Sequence, residues 1–324
     1  LILIIMLVTA IGTLSYFERQ YEKTMTAHQV AMLNLLADSI DKAIVTAQTA
    51  LVNNARALPP AVASNPVQAQ AWLDSRTGLK TQFFTNHLVL INRSGKTIAV
   101  TPFRKDAVPT SPSELAVIKT TFTTGRPQVS EPMPCCNNPK DLQIFFTAPI
   151  EVDGRVELVM AGSFNLYRPN FLSRFIEVET GTNSFVRLLN RQHQIVLHHD
   201  PKRIFQKAAP DLFNAIDQVF SGGTVITHRH YSINQEELIT SISPLKHANW
   251  VVAASYHVKD AYAALLTARL LFIGITVIGM AVAVVLVLMM MRLLTRPLSQ
   301  LASHVSHLPE KTGDDRFIHL PVNG

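Results

Sequence analysis

The sequence predicts an α+β protein: one long N-terminal helix followed by two tandem antiparallel-sheet modules, flanked by two membrane-spanning helices. Three observations carry this. An uncharged apolar run occupies Leu270 to Met291. An apolar seam recurs every seven residues from Val30 to Leu58. A hairpin, helix, hairpin order is written twice, at an offset of about 95 to 98 residues.

Taken in order, Leu1 to Leu14 (LILIIMLVTAIGTL) is apolar throughout, but about 14 residues fall short of the ~20 that a spanning helix needs. The stretch reads as the second half of a first transmembrane helix, residues 1–17, with Tyr16 and Phe17 as its interfacial aromatics. A cleaved signal peptide is the competing reading. Against it, no small-residue cleavage site follows, and the helical pattern runs straight on.

Residues 18–62 read as a spine. Val30, Ala37, Ile44, Leu51 and Leu58 recur as heptads, with Leu33, Ile40 and Ala47 as the companion series. They draw a narrow seam along a helix of ~60 Å, stopped by Pro59 and Pro60. Such a seam serves a coiled coil with a second copy or the underside of a sheet domain. Its small and polar members, Ala37, Ala47 and Asn54, favour the spine, with dimerisation as a second use. A further helix is expected over Pro66 to Thr85, its apolar face carried by Val67, Trp72, Leu79 and Phe83.

The texture then changes to strands. LVLI, a turn at Asn92-Arg93-Ser94-Gly95, and TIAV make a hairpin. Ser113 to Thr124 reads as a short helix capped by Ser113. Leu142 to Glu151 and Arg155 to Leu166 are two strands joined at Val152-Asp153-Gly154. The same order returns. LINRSGKTIAV (Leu90 to Val100) is echoed by LLNRQHQIVL (Leu188 to Leu197), Phe122 to Gly125 by Phe220 to Gly222, and Phe146 to Ile150 by Ser241 to Leu245. Two similar modules follow, a distal one over 63–170 and a proximal one over 171–267, each a sheet with helices to one side.

Leu270 to Met291 is bracketed by Arg269 and Arg292. At about 22 residues without a charge it covers the ~30 Å hydrocarbon core, giving a second span over 268–291. Arg292 and Arg296 just beyond it place residues 292–324 in the cytoplasm by the positive-inside rule, and residues 18–268 outside. The net charge is +6, but the basic residues are scattered and no basic run carries interleaved aromatics, so nucleic-acid binding is not read.

With these features the chain resembles the double Cache family of extracytoplasmic sensor domains, whose layout is a long first helix, tandem PAS-like modules and a membrane span. In the second module Gly181-Thr-Asn-Ser-Phe185, the Asn190 turn, His198-His199-Asp200-Pro201 and Asn249-Trp250-Val-Val252 are similar to recurrent features of the family, the usual His-Pro-Asp being varied. After the span, Arg292-Leu-Leu-Thr-Arg296-Pro297-Leu298-Ser-Gln-Leu301 is similar to the start of a HAMP signalling helix, and Ile318-His-Leu-Pro-Val322 to that domain's connector. The resemblance covers nearly all 324 residues.

It implies the sensory input region of a two-pass receptor in a bacterial inner (plasma) membrane, working as a homodimer. Arg296 and Pro297 would relay the signal to a histidine kinase, a diguanylate cyclase or a chemotaxis rod. The ligand is expected in the distal module, between the sheet and a cover over Phe103 to Glu131, with Phe145 and Thr147 on the facing strand. Within or beside that cover Phe103, Arg104, Lys105, Lys119 and Arg126 are the candidate ligand residues, the four cations suiting a carboxylate or other anion. Solvated loop charges are the bland alternative for each. The amino-acid-binding branch of the family has an Arg followed by aromatics in the cover and an Asp near the last strand. Here Arg126 precedes Pro127 and the strand reads Gly162-Ser163-Phe164-Asn165, so that specificity is not carried over.

Cys135 and Cys136 are the only cysteines, in the loop-like Pro-Met-Pro-Cys-Cys-Asn-Asn-Pro. A vicinal disulfide, a bridge to another copy and two small unpaired residues all remain open. No C-x-x-C-H is present, and no cofactor is implied. His228, His230, His198 and His199 fall in one module and suit a zinc or copper site on chemistry, although strand histidines two apart are common; no metal is assigned. No G-x-S-x-G, H-E-x-x-H or phosphate loop occurs. A membrane-anchored hydrolase is therefore the second reading, to be separated from a receptor by turnover.

Overall fold

The computed structural model describes residues 2–102, 111–135, 138–177, 184–223, 225–231 and 236–306. Phe103, Arg104, Lys105, Cys136 and the connector-like Ile318 to Val322 lie outside the described residues. The chain divides into two units, residues 21–263 and the pairing of residues 1–20 with 264–324.

In the second of these units the first turns of helix α1 (Ile2–Arg56) accompany the C-terminal helix, which runs Val258–Ser306. Arg269 Nη1 lies 3.6 Å from Glu18 Oε1, and the Met6 methyl lies against Gly279. One segment among the described residues, Leu266–Leu293, is long and apolar enough to cross a membrane. The apolar run at residues 2–14 continues without a break into α1. Arg296 and Pro297 fall within the C-terminal helix, where the backbone alone is described.

The body begins with the remainder of α1, followed by α2 (Pro60–Ala63), α3 (Pro66–Asp74) and α4 (Thr77–Gln82). The single helix expected over Pro66 to Thr85 is thus two. Ser75 turns its hydroxyl back onto Trp72 O at 2.6 Å and Arg76 leaves the helical region, so the run breaks there. Val67, expected on the apolar face, is exposed; Ala69 and Leu73 carry that face instead.

The distal module holds β1 (His87–Asn92), β2 (Thr97–Thr101), α5 (Pro112–Thr124), β3 (Gln128–Val129), β4 (Met133–Cys135), β5 (Asn138–Val152) and β6 (Arg155–Asn165). Its sheet is ordered β2-β1-β6-β5-β3, with β4 also on β5. After the short α6 (Ser173–Ile176), the proximal module holds β7 (Phe185–Asn190), β8 (Ile195–His198), α7 (Phe213–Gly222), β9 (Ile226–Tyr231), β10 (Glu237–Pro244) and β11 (Trp250–His257). Its order is β8-β7-β11-β10-β9. The two sheets share one topology, the last strand inserting beside the first. The C-terminal helix is α8.

Local chemistry accounts for the details. The β5–β6 turn places Asp153 at φ 51 and Gly154 at φ 77, the two positive values that an Asp-Gly hairpin turn adopts. The cap of α5 is Ser111, not Ser113. Ser111 Oγ accepts from Glu114 N at 3.3 Å while Glu114 Oε2 accepts from Ser111 N at 3.1 Å, a capping box with Pro112 at its first turn. The left-handed residue closing α7 is Gly223 at φ 64, one beyond the expected Gly222. Met133–Cys135, expected as loop, is a short strand on β5.

The seam on α1 is used inside the chain. Leu33, Ala37, Ile40, Ile44, Ala47, Leu51, Ala55 and Leu58 are buried in one cluster with Leu88, Leu90, Ile144, Phe146 and Met160 of the distal sheet and Val186, Leu188, Trp250 and Val252 of the proximal sheet. Alanine at every second or third contact lets the helix approach both pleats closely. Polar contacts fix the register of helix on sheets. Asp41, 5 % exposed, accepts from Lys246 N and His247 N at 2.9 and 3.0 Å, and Gln48 Nε2 donates to Thr147 O at 2.9 Å. A dimer contact through α1 would have to use another of its faces.

Candidate functional site

Alternation along the distal strands sends His87, Val89 and Ile91 of β1, Gln143, Phe145 and Thr147 of β5, and Ala161 and Ser163 of β6 to the face opposite the spine. Helix α5 covers this face. Val89, Ile91, Val100, Phe145, Val159 and Ala161 pack there with Ile118 of α5 and Met133 of β4. Beside this apolar half lies a polar one.

There Gln143 Nε2 donates to Glu114 Oε1, and Gln143 Oε1 accepts from Asn86 Nδ2 at 2.9 Å. Asn86 Nδ2 also approaches Ser163 Oγ at 3.3 Å and Cys135 Sγ at 3.4 Å, and Ser163 Oγ lies 3.0 Å from His87 Nδ1. The His87 ring is tilted against Phe145 at 6.0 Å. Glu114, Gln143 and Ser163 are all buried. One carboxylate therefore both closes the capping box of α5 and takes a hydrogen bond from the sheet, so that the covering helix is tied to the strands by a polar network. A group buried with its hydrogen bonds made is stable; exchanging one of those partners for a ligand of matching polarity is the chemistry such a face offers.

The expected residues fall as follows. Phe145 and Thr147 do lie on this face, but the Thr147 hydroxyl is engaged, 2.6 Å from Thr121 Oγ1 and accepting from Gln128 N at 3.2 Å. Lys119 and Arg126 are exposed, off the buried face of α5 made by Glu114, Ile118 and Thr121. The structure does not gather these two cations over Phe145. Among the described residues the network contains no lysine or arginine. Asn86, His87, Glu114, Gln143 and Ser163 were missed from sequence. Gln143 was the readable one, two and four residues before Phe145 and Thr147 on the same strand and so on the same face.

Elsewhere, Trp250 Nε1 of the proximal sheet donates to Glu131 Oε2 at 3.3 Å, and burial raises the Glu131 carboxyl above its ordinary 4.5. This pair joins the two modules. A cleft of about 490 Å³ lies between α1, the start of β3 and the β10–β11 turn, lined by Gln48, Gln128, Lys246 and His247 among others. Among the described residues no three His, Cys, Asp or Glu side chains are grouped to hold a metal ion.

No family model matches the chain, and neither does any curated protein sequence. Solved structures do. The ligand-binding domain of the Pseudomonas fluorescens chemoreceptor CtaA, in complex with L-leucine, matches with TM-score 0.59 at 16% identity, covering 75% of this chain and 99% of that one. The ligand-binding domain of the Pseudomonas aeruginosa amino-acid chemoreceptor PctC, in complex with GABA, gives 0.54 at 17%, covering 71% and 98%. The extracellular domain of mmHK1S-Z2, assigned as a histidine kinase, gives 0.57 at 12%, covering 73% and 98%. The fold is that of two-module extracellular ligand-binding domains. The body of this chain adopts the double Cache fold.

Proposed function

We propose that the chain is the sensory input region of a transmembrane receptor, which binds a small molecule in its distal module. The observation that carries this reading is the Glu114–Gln143–Asn86 network: a buried polar contact holds a cover helix on the sheet face opposite the spine, in a fold shared with domains that bind small molecules. The modules divide at about residue 170. Residues 18–268 lie outside the cytoplasm of a bacterial inner membrane, and the chain passes twice through it, with 268–291 as the second span.

A ligand that loosens or tightens the α5 cover biases the distal module between two packings. The unbroken helices α1 and α8 carry that bias to the bilayer, provided the ligand prefers one packing. Past the membrane, Arg296 and Pro297 open a HAMP-like helix that passes the displacement to an output domain, a histidine kinase or diguanylate cyclase, within a homodimer. Phe145 and the network residues contact the ligand, and Phe103, Arg104 and Lys105 are further candidate contacts. Cys135 lies 3.4 Å from Asn86 of the network; a vicinal disulfide with Cys136, a bridge to another copy and two unbridged thiols all stay open.

The test is a thermal-shift screen of the full chain in nanodiscs with amino acids, amines, carboxylates and purines. At least one class should raise the unfolding midpoint, and Gln143→Leu should abolish the shift. No stabilising compound, or turnover of ester, peptide or glycoside substrates, would overturn the reading.

A further inference from the structure

The proximal sheet has the same exposed-to-cover face as the distal one, and a different residue stands at its centre. Ser163 of β6 pairs with His87, and Ser255 of β11 pairs with Phe185, so the residue two further along the first strand is Val89 in the distal module and Arg187 in the proximal one. Val89 packs among apolar side chains. Arg187, only 5 % exposed, has Nε and Nη2 buried without a hydrogen-bond partner.

Directly across the strand pair is His198, 4 % exposed, whose Nε2 is likewise buried and unpartnered. Its other nitrogen, Nδ1, accepts from Asp200 N at 2.9 Å. The proton of the neutral ring therefore sits on Nε2, making it a donor. Three N–H donors on two paired residues lack an acceptor, and two of them form the side edge of a guanidinium, the fork that grips both oxygens of a carboxylate.

The surroundings are those of a site. His198 lines a cavity of about 200 Å³ together with Phe185, His199, Asp200, Arg203 and Glu236 among others; Arg187 is outside that lining and adjoins it through Phe185. The Arg187 guanidinium lies 5.3 Å over the Phe185 ring, and the His198 and His199 rings are 4.2 Å apart and tilted by 32°. Two carboxylates line the same cavity but neither partners these donors: Asp200 Oδ1 accepts from Lys202 N at 3.0 Å, and the exposed Glu236 faces His257 at 3.8 Å. The nearby hydroxyls are committed too, Thr240 Oγ1 lying 2.8 Å from His230 Nε2 and 2.7 Å from Ser255 Oγ. An unpaired buried cation is costly to a fold, and burial with Arg203 nearby pulls the Arg187 guanidinium down to about 10.

We infer that the proximal module carries a second binding site, for a small carboxylate held by the Nε–Nη2 edge of Arg187 and the Nε2–H of His198. The site is independent of the distal one. The adjoining cavity of about 200 Å³ suits a small acid, and the Phe185 and His199 rings favour a flat or apolar body.

The experiment measures binding of acetate, lactate and benzoate to the full chain in nanodiscs by calorimetry and thermal shift. Chloride at matched ionic strength and acetamide are the controls. At least one carboxylate should bind while both controls fail. Arg187→Met, of similar shape without the charge, should weaken that binding by about 10- to 100-fold, yet leave the unliganded protein at least as stable as the wild type. His198→Phe should weaken it by about tenfold while the midpoint without ligand holds. The inference is overturned if no carboxylate exceeds the controls, or if Arg187→Met lowers the unliganded midpoint, which would make Arg187 a structural residue. Loss of the carboxylate response in Glu114→Gln with retention in Arg187→Met would also overturn it, by moving the guest to the distal module and leaving the proposed function standing.

Discussion

The two modules share strand order, a covering helix and a serine at the same register position, yet their buried polar groups differ in kind. In the distal module a carboxylate, Glu114, is cross-linked to Gln143, Asn86 and its own helix cap. In the proximal module a guanidinium and an imidazole keep donors with no acceptor. A repeat keeps the backbone pairing that builds the sheet, while a single position, Val89 or Arg187, makes the covered face apolar or charged. A satisfied network holds the cover in place, and an unsatisfied one leaves buried donors without a partner.

Four changes test that contrast, the three substitutions coming first in order of expected cost. Val89→Arg writes the proximal residue into the distal face, where Phe145, Ile118 and Val159 offer it no acceptor. It should cost about 3–5 kcal/mol in denaturant unfolding of the body, far more than Arg187→Val in the other module. A cost below 1 kcal/mol would show that the distal face already accommodates a charge. Glu114→Ala strips the carboxylate from Gln143 Nε2 and Ser111 N and should cost about 2–4 kcal/mol, with amide exchange accelerating first in α5.

The third change compares the equivalent strand residues Gly162 and Ala254, which pair with Leu88 and Val186. A Cβ on Gly162 would come within 2.5 Å of the Phe84 ring, so Gly162→Ala should cost about 1–3 kcal/mol through overpacking. Ala254→Gly should cost about 0.5–1 kcal/mol through backbone entropy. Equal costs would mean that the Phe84 ring moves aside freely.

The fourth test is the pH dependence, read as a slope. Burial foremost, and then His199, pull the His198 imidazole from its ordinary 6.5 down to about 3. Between those values the unfolded chain holds the proton and the folded one does not. Stability therefore falls as pH drops from about 6.5 towards 3, by up to about 1.4 kcal/mol per pH unit, and is unaffected by this group above 6.5. His198→Phe should flatten that slope. Glu131 acts in the opposite sense: with its carboxyl raised by burial, the folded state keeps the proton longer, so its contribution falls as pH climbs past 4.5.

Features written in contiguous residues were legible from sequence. The Asp153-Gly154 turn, the Asn92 to Gly95 turn, the heptad seam and the repeat all depend on neighbours or fixed spacing, and the structure has them. Helix ends were misplaced by one or two residues, at Ser111 and Gly223, because Ser113 and Gly222 offer nearly the same chemistry. The break at Ser75 and the strand at Met133–Cys135 depend on packing and pairing that local propensity does not encode. The distal network was hidden because Asn86, Glu114, Gln143 and Ser163 meet only in space; searching for cations near the cover singled out Lys119 and Arg126, which face solvent. Arg187 was available in principle. Laying FVRLLN over HLVLIN along the repeat puts an arginine where an inward-facing valine stands, and that mismatch is the signal.

The most direct test of the central claim is amide hydrogen exchange on the full chain in nanodiscs, with and without a compound that raises the unfolding midpoint of both the wild type and Arg187→Met. The account predicts slowed exchange concentrated in Pro112–Thr124 and in the β5 segment around Gln143 and Phe145. Slowing confined to α7 and the proximal strands, or absent from the body altogether, would contradict it.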